Sequence, residues 1–329
     1  MLTDFKNYIN KKHLMNKICI TGANGFIGRR LQYTLFNLNR PVVGTVRSKK
    51  KISSLSDENF IDISTIDKNT DWSEALTDCK YVVHCAGLAH VKDSSVKKNI
   101  EDYRSINVEG TKKLAKQAAS MGVKRLVFLS SIGVNGLFTN NYNFFLYSDI
   151  PYPTENYSIS KYEAEQALFE ISKNTGMEIV IIRSPLVYGQ SAPGNLKRLI
   201  KLISLGIPLP FEGIKNKRSL IGVDNLVNLI IQCIDHSEAS GKIFLASDGK
   251  DLSTPELIRL IASSMGRKAN LLSVPLSVLK FLGLIFGKRE EINRLTGSLR
   301  VDSSYTKETL NWTPPISVEE GFKRMVQRK

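Results

Sequence analysis

The sequence predicts an α/β protein: a doubly wound parallel sheet makes up the larger part, and a smaller α/β lobe follows toward the C-terminus. Two observations predict this. Short apolar runs alternate with helical patterns as far as position 190, and a glycine-rich turn sits between the first run and the first helix. A length of 329 residues suits one large domain with an appendage. In chain order the predicted strands are 17–21 (KICIT), 42–46 (VVGTV), 81–85 (YVVHC), 125–130 (RLVFLS) and 178–183 (EIVIIR), with helices over 26–38, 71–78, 100–121 and 157–175 between them. In the third helix Leu114, Ala115, Ala118 and Ala119 share one apolar face, and Gly122 sits where a C-terminal cap belongs. Beyond 190, prolines and glycines at 193–194, 206–210 and 213 break the rhythm, and helices follow near 195–205, 224–234, 254–265 and 274–286. The stretch PLSVLKFLGLIFGK over the last of these is too short to span a bilayer and reads as a buried or lid helix in preference to an interfacial one. The expected organisation is a disordered extension over 1–14, a first domain over 15–190 and a substrate lobe over 191–329, with some chain crossing back to the first domain.

Composition removes several functional classes. The 46 Lys and Arg outnumber the 31 Asp and Glu by 15, but the basic residues are spread along the chain and no helix-turn-helix, zinc-finger or RNA-recognition signature accompanies them. The charge therefore implies no nucleic-acid partner and at most weak attraction to an acidic membrane surface. Cys19, Cys79, Cys85 and Cys233 are scattered, which indicates neither a disulfide framework nor a metal site. The first residues lack the apolar core and cleavage site of a secretory signal, so the expected compartment is the cytoplasm.

The glycine run after the first strand is Gly22-Ala23-Asn24-Gly25-Phe26-Ile27-Gly28. Glycine lets the chain turn tightly and lets backbone N–H groups approach a pyrophosphate at the positive end of the helix, so Gly22, Gly25, Phe26, Ile27 and Gly28 are candidate dinucleotide contacts on a Rossmann-like fold. The second strand ends in Val46-Arg47-Ser48 followed by three lysines, where an NAD site usually offers a carboxylate to the ribose. Arg47 can instead pair with the 2′-phosphate of NADP, which makes NADP(H) the favoured cofactor and NAD(H) the alternative. Asp62 and Ile63 are candidate adenine contacts.

Tyr157 and Lys161 are four positions apart, so a helix places phenol and ammonium on one face. A neighbouring ammonium eases formation of phenolate, which suits tyrosine to acid/base work on a carbinol/carbonyl pair. Ser130 and Ser131 lie upstream of this pair, at the end of a predicted strand, where α/β sheets place their sites.

The glycine run, VVHCAG, Asn107 in INVEGT, FLSSIGVNG, YSISK and RSPLVYG together resemble the extended short-chain dehydrogenase/reductase family in its nucleotide-sugar epimerase and dehydratase branch, from Lys17 to about residue 324. The resemblance implies that Tyr157 is the general acid/base at the sugar C4 oxygen, that Lys161 binds the nicotinamide ribose and depresses the tyrosine pKa, and that Ser131 hydrogen-bonds the C4 oxygen. Ser131 is preferred to Ser130 because it lies three positions before Val134 of Val134-Asn135-Gly136, although Asn135 departs from the family's usual tyrosine. It also implies Asn107 at the cofactor, Asn195 and Arg218 near the diphosphate of a UDP-sugar, and a homodimer through helices 100–121 and 157–175. The sugar pocket is expected to draw on the C-terminal lobe around 296–302. Sugar dehydratases of this branch carry Thr-Asp-Glu where this chain has Ser131-Ile132-Gly133, so elimination of water lacks its acid and base.

Two reactions remain, and Ser131, Tyr157 and Lys161 would serve both. Arg47, with a resemblance to bacterial UDP-N-acetylquinovosamine-forming enzymes often labelled UDP-glucose 4-epimerase, favours NADPH-dependent reduction of a UDP-linked 4-keto-6-deoxy-N-acetylhexosamine, as in surface polysaccharide (O-antigen or capsule) synthesis. The alternative is a UDP-glucose or UDP-N-acetylglucosamine 4-epimerase holding NAD tightly. A non-catalytic dinucleotide sensor would have little need of the Tyr157/Lys161 pair.

Overall fold

The computed structural model describes residues 16–48, 60–89, 99–140 and 142–327; the expected extension over 1–14 and the lysines at 49–51 lie outside this set. The elements are β1 (Lys17–Thr21), α1 (Phe26–Asn37), β2 (Val42–Val46), β3 (Phe60–Asp62), α2 (Ser73–Leu76), β4 (Cys79–His84), α3 (Ile100–Tyr103), α4 (Gly110–Ser120), β5 (Arg125–Ser131), α5 (Asn156–Thr175), β6 (Glu178–Ser184), β7 (Leu186–Tyr188), α6 (Asn195–Ser204), β8 (Leu220–Gly222), α7 (Val223–Asp235), β9 (Ile243–Leu245), α8 (Thr254–Ser264), α9 (Leu276–Ile285), α10 (Arg289–Thr296), α11 (Ser304–Leu310) and α12 (Val318–Val326). They pack as two compact units, one drawn from 1–134, 151–183 and 229–244 and the other from 135–150, 184–228 and 245–329.

In the first unit, the described strands form a seven-stranded sheet in the order β3-β2-β1-β4-β5-β6-β9. The pairs β1–β2, β1–β4, β2–β3 and β4–β5 are parallel, with Ile18 opposite both Val42 and Tyr81, as the unbroken apolar runs predict. Sequence order reverses between β1 and β4, and the carboxyl ends of those strands are where such sheets bind ligands. Leu114, Ala115 and Ala118 of α4 are buried in one core with Trp72, Phe128 and Leu168. The single helix expected over 100–121 is interrupted: α3, opened by a capping box between Asn99 and Asp102, leads into a π-helical turn over Arg104–Glu109 and only then into α4. Gly176 ends α5 in the left-handed conformation at φ 74°.

In the second unit, β7 and β8 pair in parallel, Leu186 opposite Leu220. Asp248 gathers the unit by accepting from the Tyr188 hydroxyl at 2.7 Å, the Gly222 N–H at 3.0 Å and the Asn225 amide at 2.7 Å. Helices α10, α11 and α12 have no counterpart in the expected pattern. The structure corrects the expectation of a buried helix at α9, of which only Leu279 and Gly283 are buried. Among the described residues no helix is long and apolar enough to cross a membrane.

His84 ties three elements together. Its Nδ1 lies 2.6 Å from Thr21 Oγ1 on β1 and its Nε2 2.9 Å from Thr111 Oγ1 on α4, and burial, helped by the Lys161 charge, pushes its pKa from 6.5 down to about 3. The unfolded chain therefore binds a proton that the native state refuses, so this stability is present above pH 6.5 and lost as pH falls toward 3. Lowering the pH from 7 to 5 should cost about 2 kcal/mol through this residue. Urea titrations at the two pH values check it, with His84→Asn expected to lose less by that amount.

Candidate active site

The turn after β1 is closely packed and needs its glycines. Gly22 has φ +66°, and a Cβ there would lie 3.0 Å from the backbone of Ala86 after β4. Gly28 packs the start of α1 onto the turn, since a Cβ would come within 2.3 Å of the Gly22 carbonyl oxygen. Gly25 occupies the N-cap of α1 in extended conformation, no side chain caps the helix, and its first turn, beginning Phe26-Ile27, carries no acid. Uncapped N–H groups with helix-dipole positive charge fit a dinucleotide pyrophosphate. Arg47 is exposed just beyond β2, and Asp62, opposite Val46 in the register, is exposed at the end of β3. Ile63 differs from its neighbour: its side chain is buried in the core and its N–H donates to the Val46 carbonyl at 2.8 Å.

Asn107 sits in the π-helical turn, fully engaged. Its Oδ1 accepts from the Leu88 N–H at 2.7 Å, while its Nδ2 donates to the Leu88 carbonyl at 3.0 Å and to Ser160 Oγ at 2.9 Å. The Ser160 hydroxyl in turn donates to the Tyr157 carbonyl at 2.8 Å. The extra residue of the π turn thus lets one amide tie the chain after β4 to the first turn of α5.

On α5, Tyr157 is half-buried and Lys161 is buried. The Lys161 ammonium lies 3.7 Å from the centroid of Phe128, and a Cβ on Gly87 would be 4.0 Å from its Nζ. Burial lowers its pKa to about 7, against the smaller raising effects of Glu165 and Cys85. Burial, with Tyr103 close by, pushes the Tyr157 phenol up to about 12. The effects acting on the phenol here are burial and Tyr103, and the lowering expected from Lys161 is not among them. Ser131 ends β5 half-buried, its Oγ accepting from the Gly133 N–H at 3.1 Å. A Cβ on Gly133 would fall 2.3 Å from Ser158 Oγ and 3.3 Å from Ser131 Oγ, so only glycine there lets the start of α5 close on the end of β5. Ser130 points the other way and donates to buried Glu165.

Asn195 and Arg218 belong to the second unit. Asn195 is exposed at the first position of α6. Arg218 donates from Nη1 to the carbonyls of Arg294 and Gly297 at 2.8 and 3.1 Å, satisfying the C-terminal end of α10. Burial, with Arg294 beside it, lowers its pKa to about 10, leaving it a cation at neutral pH. Sequence reasoning missed Arg300, which stands 3.8 Å over the Phe144 ring and donates to Asp251 at 2.7 Å. With Lys217 and Lys250 it lines a cavity of about 430 Å³. Its only sequence signal is a position within 296–302, where the sugar pocket is expected. No group of three or more His, Cys, Asp or Glu among the described residues could hold a metal ion.

Residues 18–246 match the NAD dependent epimerase/dehydratase family, and the chain belongs to that family of short-chain dehydrogenase/reductase enzymes. A Vibrio cholerae protein named UDP-glucose 4-epimerase is 42% identical over 318 residues, 96% of each chain. Two solved Bacillus cereus structures share the fold: UDP-glucuronic acid 4-epimerase in complex with NAD, at 22% identity and TM-score 0.74 over 94% of this chain and 95% of that one, and UDP-N-acetylglucosamine 4-epimerase, at 20% and 0.75 over 94% and 98%.

Gly28→Ala should force β1 and α1 apart, costing about 1–3 kcal/mol of stability. It should also weaken dinucleotide binding by about tenfold or more, since the uncapped N–H groups suited to phosphates move with the helix. Thermal unfolding and cofactor titration check the two effects separately.

Proposed function

We propose that this enzyme is a nucleotide-sugar 4-epimerase, acting on UDP-glucose or its N-acetyl counterpart with NAD held at the β1–α1 turn. The observation that carries the reading is the 42% identity, over 96% of both chains, to a relative named UDP-glucose 4-epimerase. The site chemistry supports it. Ser131, Tyr157 and Lys161 supply what oxidation and re-reduction at one carbinol carbon require, and Ile132-Gly133 offers none of the carboxyl groups that elimination needs.

In this reading Gly22, Gly25, Phe26, Ile27 and Gly28 bind the cofactor's pyrophosphate, Asp62 faces its adenine, and Asn107 fixes the chain beside it. When bound, the nicotinamide takes up a hydride and gives it back. Tyr157 Oη holds the proton of the C4 hydroxyl while that carbon is a ketone and returns it to the product alkoxide. Lys161 binds the nicotinamide ribose, and its cation favours the phenolate once the site is filled. Ser131 orients the C4 oxygen by hydrogen bonding. Asn195 and Arg218 bind the diphosphate.

One observation favours a second reading. Arg47, exposed at the end of β2, is suited to a 2′-phosphate, which would make the enzyme an NADPH-dependent 4-keto reductase of a 6-deoxy-N-acetylhexosamine.

Incubation with UDP-glucose or UDP-N-acetylglucosamine should yield the C4 epimer, followed by NMR, with no net consumption of cofactor. Protein purified without additions should release NAD on denaturation. An empty site, preference for NADPH and turnover only with a 4-keto sugar would establish the reductase instead. Tyr157→Phe should lower kcat by about 10²–10⁴-fold with dinucleotide binding retained. The helices over 100–121 and 157–175 form the proposed dimer contact, so light scattering should give twice the chain mass of 36.8 kDa.

A further inference from the structure

Helix α9 leaves apolar surface uncovered on the side away from its own packing seam. Leu279 and Gly283, one turn apart, are its buried positions, and Gly283 packs on α10, where a Cβ would lie 2.7 Å from Ile292 Cγ1. Away from it, Val278, Phe281, Leu282 and Ile285 repeat at i, i+3, i+4 and i+7 with exposures of 43, 62, 42 and 59%. A helix apolar on both faces calls for a covering partner. Further exposed apolar residues stand by the chain that leads into the helix. Leu205 and Ile207, both exposed, are held against the chain that leads into α9 by Arg267 Nη1 donating to the Ser204 carbonyl at 2.9 Å and by the paired Leu209 and Leu271.

Charge identifies the partner. From Leu257 to Arg289 the chain carries Arg259, Arg267, Lys268, Lys280, Lys288 and Arg289 and not a single acid. From Ser184 to Phe211, a stretch that includes α6, it carries Lys197, Arg198 and Lys201 and again no acid. Some of this charge is compensated: Arg259 pairs with Glu212, and Lys288 with Glu291 at 3.3 Å. Arg267 and Lys268 remain, lining a shallow cavity with the Arg259–Glu212 pair on the chain that leads into α9.

We propose that this face docks on an anionic lipid bilayer, with α9 lying in the plane of the headgroups and Val278, Phe281 and Ile285 entering the acyl boundary. The ten residues of α9 span about 15 Å, half the hydrocarbon thickness, so the helix lies on the membrane and does not cross it. A second copy of the chain is the poorer partner, because a two-fold interface would set the same cations against themselves. The inference does not depend on the catalytic reading.

Flotation of the full chain with vesicles tests it. Binding should be strong on phosphatidylcholine containing about one third phosphatidylglycerol, weak on phosphatidylcholine alone, and lost progressively as salt is raised. The double variant F281E/I285E, altered only at exposed positions, should bind the anionic vesicles at least about tenfold more weakly with its thermal unfolding unchanged. A Phe281→Trp reporter should shift its emission to the blue on adding anionic vesicles. Equal binding to both vesicle types would overturn the proposal, as would full binding by F281E/I285E. So would wild-type protein that ignores vesicles while F281E/I285E loses its oligomeric mass, which would make a second copy the partner.

Discussion

A carboxylate with no exposed surface fixes the helix that carries the tyrosine–lysine pair. Glu165, one turn beyond Lys161 on α5, pairs with Arg183 of β6 at 2.6 Å, and both side chains are essentially shut off from solvent. The Ser130 hydroxyl of β5 donates to the same carboxylate. Two strands and the helix therefore meet at one charge, and rotation or sliding of α5 would strand a buried ion. Such a pair adds little net stability over an apolar core, but its geometric demand is strict. That demand carries along the helix to Lys161 and Tyr157. It also separates two adjacent serines: Ser130 faces the buried carboxylate, and Ser131 is left at the strand end.

Desolvation sets the electrostatics of the same region. Lys161, His84 and Tyr157 are each shifted toward their neutral forms, with burial as the largest cause in every case. An ammonium resting on the Phe128 ring gains less than water would give it. The protein's own groups thus keep His84 and Tyr157 neutral and Lys161 only partly charged at neutral pH, and ligand charges arriving there meet little screening. From such a state an acid/base pair can be retuned by what binds.

How much of this is legible in the residues depends on the range of the interactions. The strands, the glycine turn and the Tyr157–Lys161 spacing follow from local rules of burial, backbone freedom and helical period, and the sequence carries all three. The π turn at Arg104–Glu109 is hidden, since its residues continue a helical pattern and only the reach of Asn107 to Leu88 and Ser160 shows its use. Strand β3 is three residues long, below what a run of apolar residues can signal. Helix α9 reads as core because its composition is core-like; composition reports what a residue would prefer and not whether anything covers it.

The sequence by itself determined a doubly wound α/β chain with a phosphate-accepting turn and a tyrosine–lysine pair, because each arises among residues near one another along the chain. Only the tertiary structure decided that Ser130 is held by the buried Glu165, that Arg218 closes the end of α10, that Arg300 stands over Phe144 against Asp251, and that α9 faces solvent. Those outcomes depend on burial and on partners far apart in the chain, and a one-dimensional pattern does not encode such distances.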